Sequence, residues 1–143
     1  MPHSPRIFDG KLYLLLSATG ELVQVDMATG KTEVVIRLKG FVRGLAKHGD
    51  YLFIGLSKLR KTSSAFGELK IAEQAQYAGI AIVHLPSGNV AGEIRYHNSV
   101  DEIYDLQVIP KYNRPGILNT ERPEYKQGLT TPTTTYWAKN MEA

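Results

Sequence analysis

The sequence contains no cysteine. Disulfides, thiolate nucleophiles and cysteine-type metal sites are therefore excluded. Long hydrophobic runs are also missing. The most apolar stretch, residues 12–16, falls far short of the roughly 20 residues that carry a helix across a bilayer, so no membrane partner is expected. The opening tract MPHSPR has no apolar h-region, which speaks against a signal peptide and for a cytoplasmic protein. Helical periodicity is nearly absent too, and residues 68–75 alone are spaced for a short helix. Charge of one sign is not in large excess, with 17 Lys and Arg against 14 Asp and Glu. The positive charge is nevertheless concentrated, because Arg37, Lys39, Arg43, Lys47, Lys58, Arg60 and Lys61 face only Asp50 over that stretch. Such a run attracts an anionic ligand or forms a solvated sheet edge. No aromatic-interleaved basic motif accompanies it, and no nucleic-acid partner is expected.

What is present is internal similarity. The tract DGKLYLLLS at 9–17 is echoed by GDYLFIGLS at 49–57, and GELVQVDMATG at 20–30 by GIAIVHLPSG at 79–88. A third echo links VRGLA at 42–46 to IYDLQ at 103–107. The apolar segments hold β-branched strand formers, and the glycines that close them permit the positive φ of tight turns. Each unit reads as four strands, at about 4–8, 11–17, 21–27 and 31–38, then 42–47, 51–57, 79–85 and 89–96. A further first strand is expected at 103–109 and a second at 116–119. The fold class is all-β. Four-stranded antiparallel units recurring every 40-odd residues have the form of propeller blades, with a duplicated sandwich or barrel as the alternative. Residues 1–120 then form a repeat domain, with blades at about 4–38 and 42–96 and a partial blade at 103–119, and residues 121–143 form an extended tail.

Several tracts carry a resemblance. MPHSPR at 1–6, DGKL at 9–12, SATGEL at 17–22, GFVRGLA at 40–46, IGLSKLR at 54–60 and VDEIYDLQV at 100–108 resemble the C-terminal part of an uncharacterised bacterial family, the DUF4915 type. The resemblance runs from residue 1 to about 118. It implies a propeller-like fold and a member shortened at its N-terminus. It implies no activity.

In a blade the first strand lines the central channel, so the starts of these strands and the long insertion at 58–78 should share one face. A connection of that length exceeds the usual span and is more often functional. The candidate ligand-binding residues there are His3, Arg6, Arg43, Lys58, Arg60, Glu102, Tyr104 and Asp105. Arginine suits bidentate capture of carboxylate or phosphate. A histidine beside carboxylates suits general acid–base work or a divalent cation, yet Glu102 and Asp105 lack metal-loop spacing and no metal is assigned. The alternative is that Arg43 pairs with Glu102 or Asp105 to lock neighbouring units. His48, His84 and His97 have no partners at ligand spacing and read as structural. Ser17 and Ser57 recur at the same place in each unit, which suits packing better than a nucleophile, and no Gly-x-Ser-x-Gly elbow is present.

Two function classes follow. One is a binding or scaffold protein that holds an anionic or sugar-like small molecule at the channel mouth. The other is an enzyme on the same face, an isomerase or a lactonase-like hydrolase. No cofactor is assigned. Two blades and part of a third leave apolar sheet faces open, so a homo-oligomer is expected, with Tyr136 and Trp137 docking on another surface.

Overall fold

A computed structural model describes residues 1–59, 69–97, 100–113, 121, 128–130 and 135–137. The chain divides into two compact units, Met1–Val108 and Ile109–Ala143. The first holds two antiparallel four-stranded sheets. Sheet 1 consists of β1 (Pro2–Phe8), β2 (Lys11–Leu16), β3 (Glu21–Val25) and β4 (Thr32–Arg37) in the order β1-β2-β3-β4. Sheet 2 consists of β5 (Phe41–His48), β6 (Tyr51–Ser57), β7 (Ala78–His84) and β8 (Asn89–Tyr96) in the order β5-β6-β7-β8. The eight strands of these sheets fall where the apolar segments between turn residues place them.

The turns explain the registers. Asp9 and Gly10 both have positive φ, 50° and 75°, in the two-residue link that pairs Phe8 with Lys11; two positive φ values are what a type I′ hairpin needs. At the β3–β4 turn, Asp26 Oδ1 accepts hydrogen bonds from the Ala28 and Thr29 amides at 2.8 and 3.2 Å. Gly30 closes that turn at φ 70°. The bond from Ala28 is the largest influence holding the Asp26 carboxyl below its ordinary range.

The sheets share one core. Tyr13, Leu15 and Leu22 of sheet 1 pack with Val42, Leu45, Leu52, Ile54, Leu56, Ala81 and Val83 of sheet 2. The first strands of the two sheets, β1 and β5, lie side by side. Fully burying side chains of this size stabilises by about 1.5–3 kcal/mol each. One buried charge anchors the rim of sheet 1. Glu21 is 8% exposed and accepts from Thr19 Oγ1 at 2.6 Å and from Arg37 Nε at 2.7 Å. The Thr19 bond first, then the Arg37 bond, hold its carboxyl below the usual range. A depressed folded pKa means that this stabilisation is complete at neutral pH and fades as pH falls through the folded value. Glu21→Gln is therefore expected to lower stability by about 1–2 kcal/mol near neutrality, the scale of hydrogen bonds to a charged group. The gap to the parent should shrink in acid. Urea titrations at several pH values decide it, and a gap that does not change with pH would contradict the assignment.

Two expectations are corrected. Residues 103–109 do not form a strand. Ile103 instead spends its backbone groups on a serine side chain, as described below, and among the described residues no strand pairs with it in a ladder. The matching second strand at 116–119 lies outside the described residues. The short helix at 68–75 is reduced to a 3₁₀ turn, Lys70–Glu73; Ile71 and Ala75 bury against Phe41, with Leu59 and Leu69 alongside, a footing too small for longer periodicity. In the second unit β9 (Gly128–Thr130) pairs antiparallel with β10 (Thr135–Trp137), as suits a stretch of Thr, Tyr and Trp.

Candidate functional site

The first strands carry the candidate residues, and both are interrupted at the same place. In β1 the pairing with β2 slips between His3 and Arg6, and in β5 the pairing with β6 slips between Val42 and Leu45. A bulge of this kind re-aims the side chains next to it. Each contains a left-handed residue, Ser4 at φ 51° and Gly44 at φ 82°. His3 precedes one and Arg43 the other. The Gly44 amide donates to Ser4 Oγ at 2.8 Å, which ties the two bulges together.

Residues 101–105 lie against the β5 bulge. A Cβ on Gly44 would stand 2.9 Å from the Asp105 carbonyl carbon. A Cβ on Gly55 would meet Ile103 Cγ2 at 2.6 Å and also the Arg43 carbonyl oxygen. Two buried serines fasten each segment to the next. Ser17 Oγ donates to the Val42 carbonyl at 2.6 Å. Ser57 Oγ donates to the Ile103 carbonyl at 3.2 Å and accepts from the Ile103 amide at 2.9 Å. These hydroxyls are engaged by backbone, which disqualifies them as nucleophiles. The Lys58 amide adds a bond to the Asp101 carbonyl at 2.8 Å.

His3, Arg43 and Tyr104 consequently form a row. The His3 ring stands 6.3 Å from the Phe41 ring. Burial, then the charge of Arg43, lower the His3 pKa from its ordinary value, which favours the neutral imidazole. The Arg43 guanidinium lies over the Tyr104 ring, 4.4 Å from its centroid. Tyr104 is 62% exposed, and its hydroxyl donates to Glu102 Oε2 at 2.9 Å. Arg6 reaches the Asp105 carboxylate, with Nη2 3.0 and 2.9 Å from its two oxygens.

The structure thus brings together His3, Arg43, Glu102 and Tyr104, and separately pairs Arg6 with Asp105. The ion pair across the first strands is made by Arg6, while Arg43 stacks on an aromatic ring. Lys58 is exposed beside the row's backbone, and Arg60 lies outside the described residues. Sequence reasoning did not reveal the bulges at Ser4 and Gly44. Gly44, set in an otherwise apolar strand, was the available signal. His84 bonds Ser87 Oγ through Nδ1 at 2.9 Å, a local turn contact. Among the described residues no group of three or more His, Asp or Glu side chains is placed to hold a metal ion. No helix among them is long and apolar enough to cross a membrane.

The sequence pattern described as Domain of unknown function (DUF4915) matches residues 1–118. No curated protein and no solved structure matches the chain.

Proposed function

Because the chain belongs to the DUF4915 family, which brings no activity with it, we propose from its own geometry that it is a propeller-type binding or scaffold module. In this reading sheets 1 and 2 are consecutive blades, residues 101–105 begin a third, and further copies of the chain complete the assembly. The ligand is an anionic or sugar-like small molecule held at the starts of the first strands. One observation carries the reading. Ser17 grips Val42 and Ser57 grips Ile103, so each unit is fastened to the next through the same two positions, and the residues after them, Arg43 and Tyr104, meet in one row. Blades repeated around a central channel are the architecture of a propeller, and a few convergent polar groups in a concave face suit a small ligand. Arg43 supplies charge, His3 and Glu102 supply hydrogen bonds, and Tyr104 supplies a ring face.

A thermal-shift experiment with gluconate, glucose 6-phosphate and glucose tests this directly. Binding to the folded chain at 100-fold over Kd stabilises it by about 2.7 kcal/mol, a shift of a few degrees or more for a domain of this size. At least one of the three is expected to raise Tm in the parent and to lose that effect in Arg43→Gln or Glu102→Gln. No shift with any of them would contradict the reading. Turnover of gluconolactone that is lost in Glu102→Gln would replace it with the hydrolase alternative.

A further inference from the structure

We propose that the in-plane edge of the Arg43 guanidinium, flanked by His3, receives an oxyanion, the carboxylate or phosphate group of a ligand. The inference rests on the row being the ligand face and names the group that the row grips. It follows from how the neighbouring charges are spent. Asp105 is held by Arg6 through both carboxylate oxygens. Glu102 accepts from the Tyr104 hydroxyl. Arg43 contributes only the flat face of its guanidinium, laid on the Tyr104 ring. That stacking leaves the five N–H donors pointing outward in the plane, and among the described residues no carboxylate pairs with them.

A guanidinium does not shed its charge. Arg43 is half-buried, and a partly desolvated cation is costly unless it is paired. An anion with two oxygens supplies the missing charge and matches the planar fork. His3 fits the same role. The charged groups that act on it are Arg43 from β5 and the amino terminus just before its own strand, both of which oppose its protonation alongside burial, the largest cause; the Phe41 ring beside it is neutral. An oxyanion seated between His3 and Arg43 reverses that repulsion, so His3 takes up a proton and becomes a second donor. The bond from the Gly44 amide to Ser4 Oγ ties the bulge beside Arg43 to the one beside His3.

A ring-proton NMR titration of the four histidines in the full chain reads this out, with the His3 signal assigned from His3→Gln. It is run in phosphate, in acetate and in chloride at matched ionic strength, because salt alone weakens the Arg43 field. The expected result is a His3 pKa about one unit higher in phosphate or acetate than in chloride, equivalent to about tenfold stronger anion binding to the protonated form. Phosphate alone active would point to a phosphorylated ligand, and acetate to a carboxylate. In Arg43→Gln the His3 pKa should start higher and no longer respond. Arg43→Lys, which keeps the charge and loses the fork, should bind about tenfold more weakly. Identical His3 titrations in all three anions, or a response that survives in Arg43→Gln, would overturn the proposal. Thermal stabilisation by glucose without any His3 response would overturn it and leave the binding reading standing; no response from any ligand would sink both.

Discussion

Gly44→Ala is expected to destabilise the chain by about 2–5 kcal/mol. Two costs add at this position. The backbone is left-handed, φ 82°, which penalises any side chain by about 1–2 kcal/mol. The new methyl would also stand 2.9 Å from the Asp105 carbonyl carbon and 3.0 Å from both its Cα and the Leu106 nitrogen. These are backbone atoms that no rotamer change moves, and overpacking of this kind costs about 1–3 kcal/mol. The outcome is either a strained core or expulsion of residues 101–106 from the β5 bulge. Expulsion would break the Arg6–Asp105 pair and the Arg43–Tyr104 stack together, so ligand responses at the row should fall with stability. Gly10→Ala is the control. It carries a similar φ, 75°, but a Cβ there meets nothing within 4 Å, so only the backbone cost applies. Equal losses in the two variants, measured by urea denaturation, would show that residues 101–106 do not press on Gly44.

Leu14→Glu is expected to convert an assembly of copies into a monomer near the chain mass of 15.9 kDa. The reason lies in how unequally the two sheets are covered. When residues 9–17 are aligned with 49–57, Leu12, Leu14 and Leu16 correspond to Leu52, Ile54 and Leu56. The second set is 0–2% exposed, whereas the first is only half-buried. Around Leu14, Ile7 is 64% and Val34 44% exposed. Leu14 pairs with Val23 and Val23 with Val34, so these apolar residues share one face of sheet 1. A face of the type that sheet 2 buries is thus only partly covered on sheet 1, with Val23 buried but Ile7 and Val34 exposed, and a second copy is the proposed cover. A charge at its centre loses apolar contact and adds desolvation on each copy, which should weaken association at least about a hundredfold. Light scattering with the parent and the variant at matched concentration measures it. A parent that already runs as a monomer at micromolar concentration would contradict completion by copies.

The strands were legible because their determinants are local. Asp9-Gly10 fixes the first hairpin, the Asp26 to Gly30 turn fixes another, and the leucines and valines between them alternate with the pleat. The site was legible only in part. That Arg43 and Tyr104 begin equivalent segments could be read from the echoes, and the place of His3 from the strand order, but the partner of Arg43 could not. Whether a guanidinium meets Asp105 or the ring of Tyr104 depends on the bulges at Ser4 and Gly44, and these are set by tertiary packing. The same limit explains residues 103–109. Their pattern matches residues 42–46 and β5, yet a strand needs a neighbouring ladder, and Ser57 takes the Ile103 backbone groups instead. Local periodicity also overstated the helix at 68–75, where only Ile71 and Ala75 find a buried footing.

The central claim is that the row at the starts of the first strands is the ligand face. The most direct measurement is an amide chemical-shift map of the ¹⁵N-labelled chain titrated with gluconate, which combines an anionic group with a sugar-like backbone. The expected result is a set of saturable shifts concentrated at residues 3–4, 42–44 and 102–105. Shifts concentrated at the opposite turns, residues 26–30 and 84–88, or an unchanged map at millimolar gluconate, would contradict it.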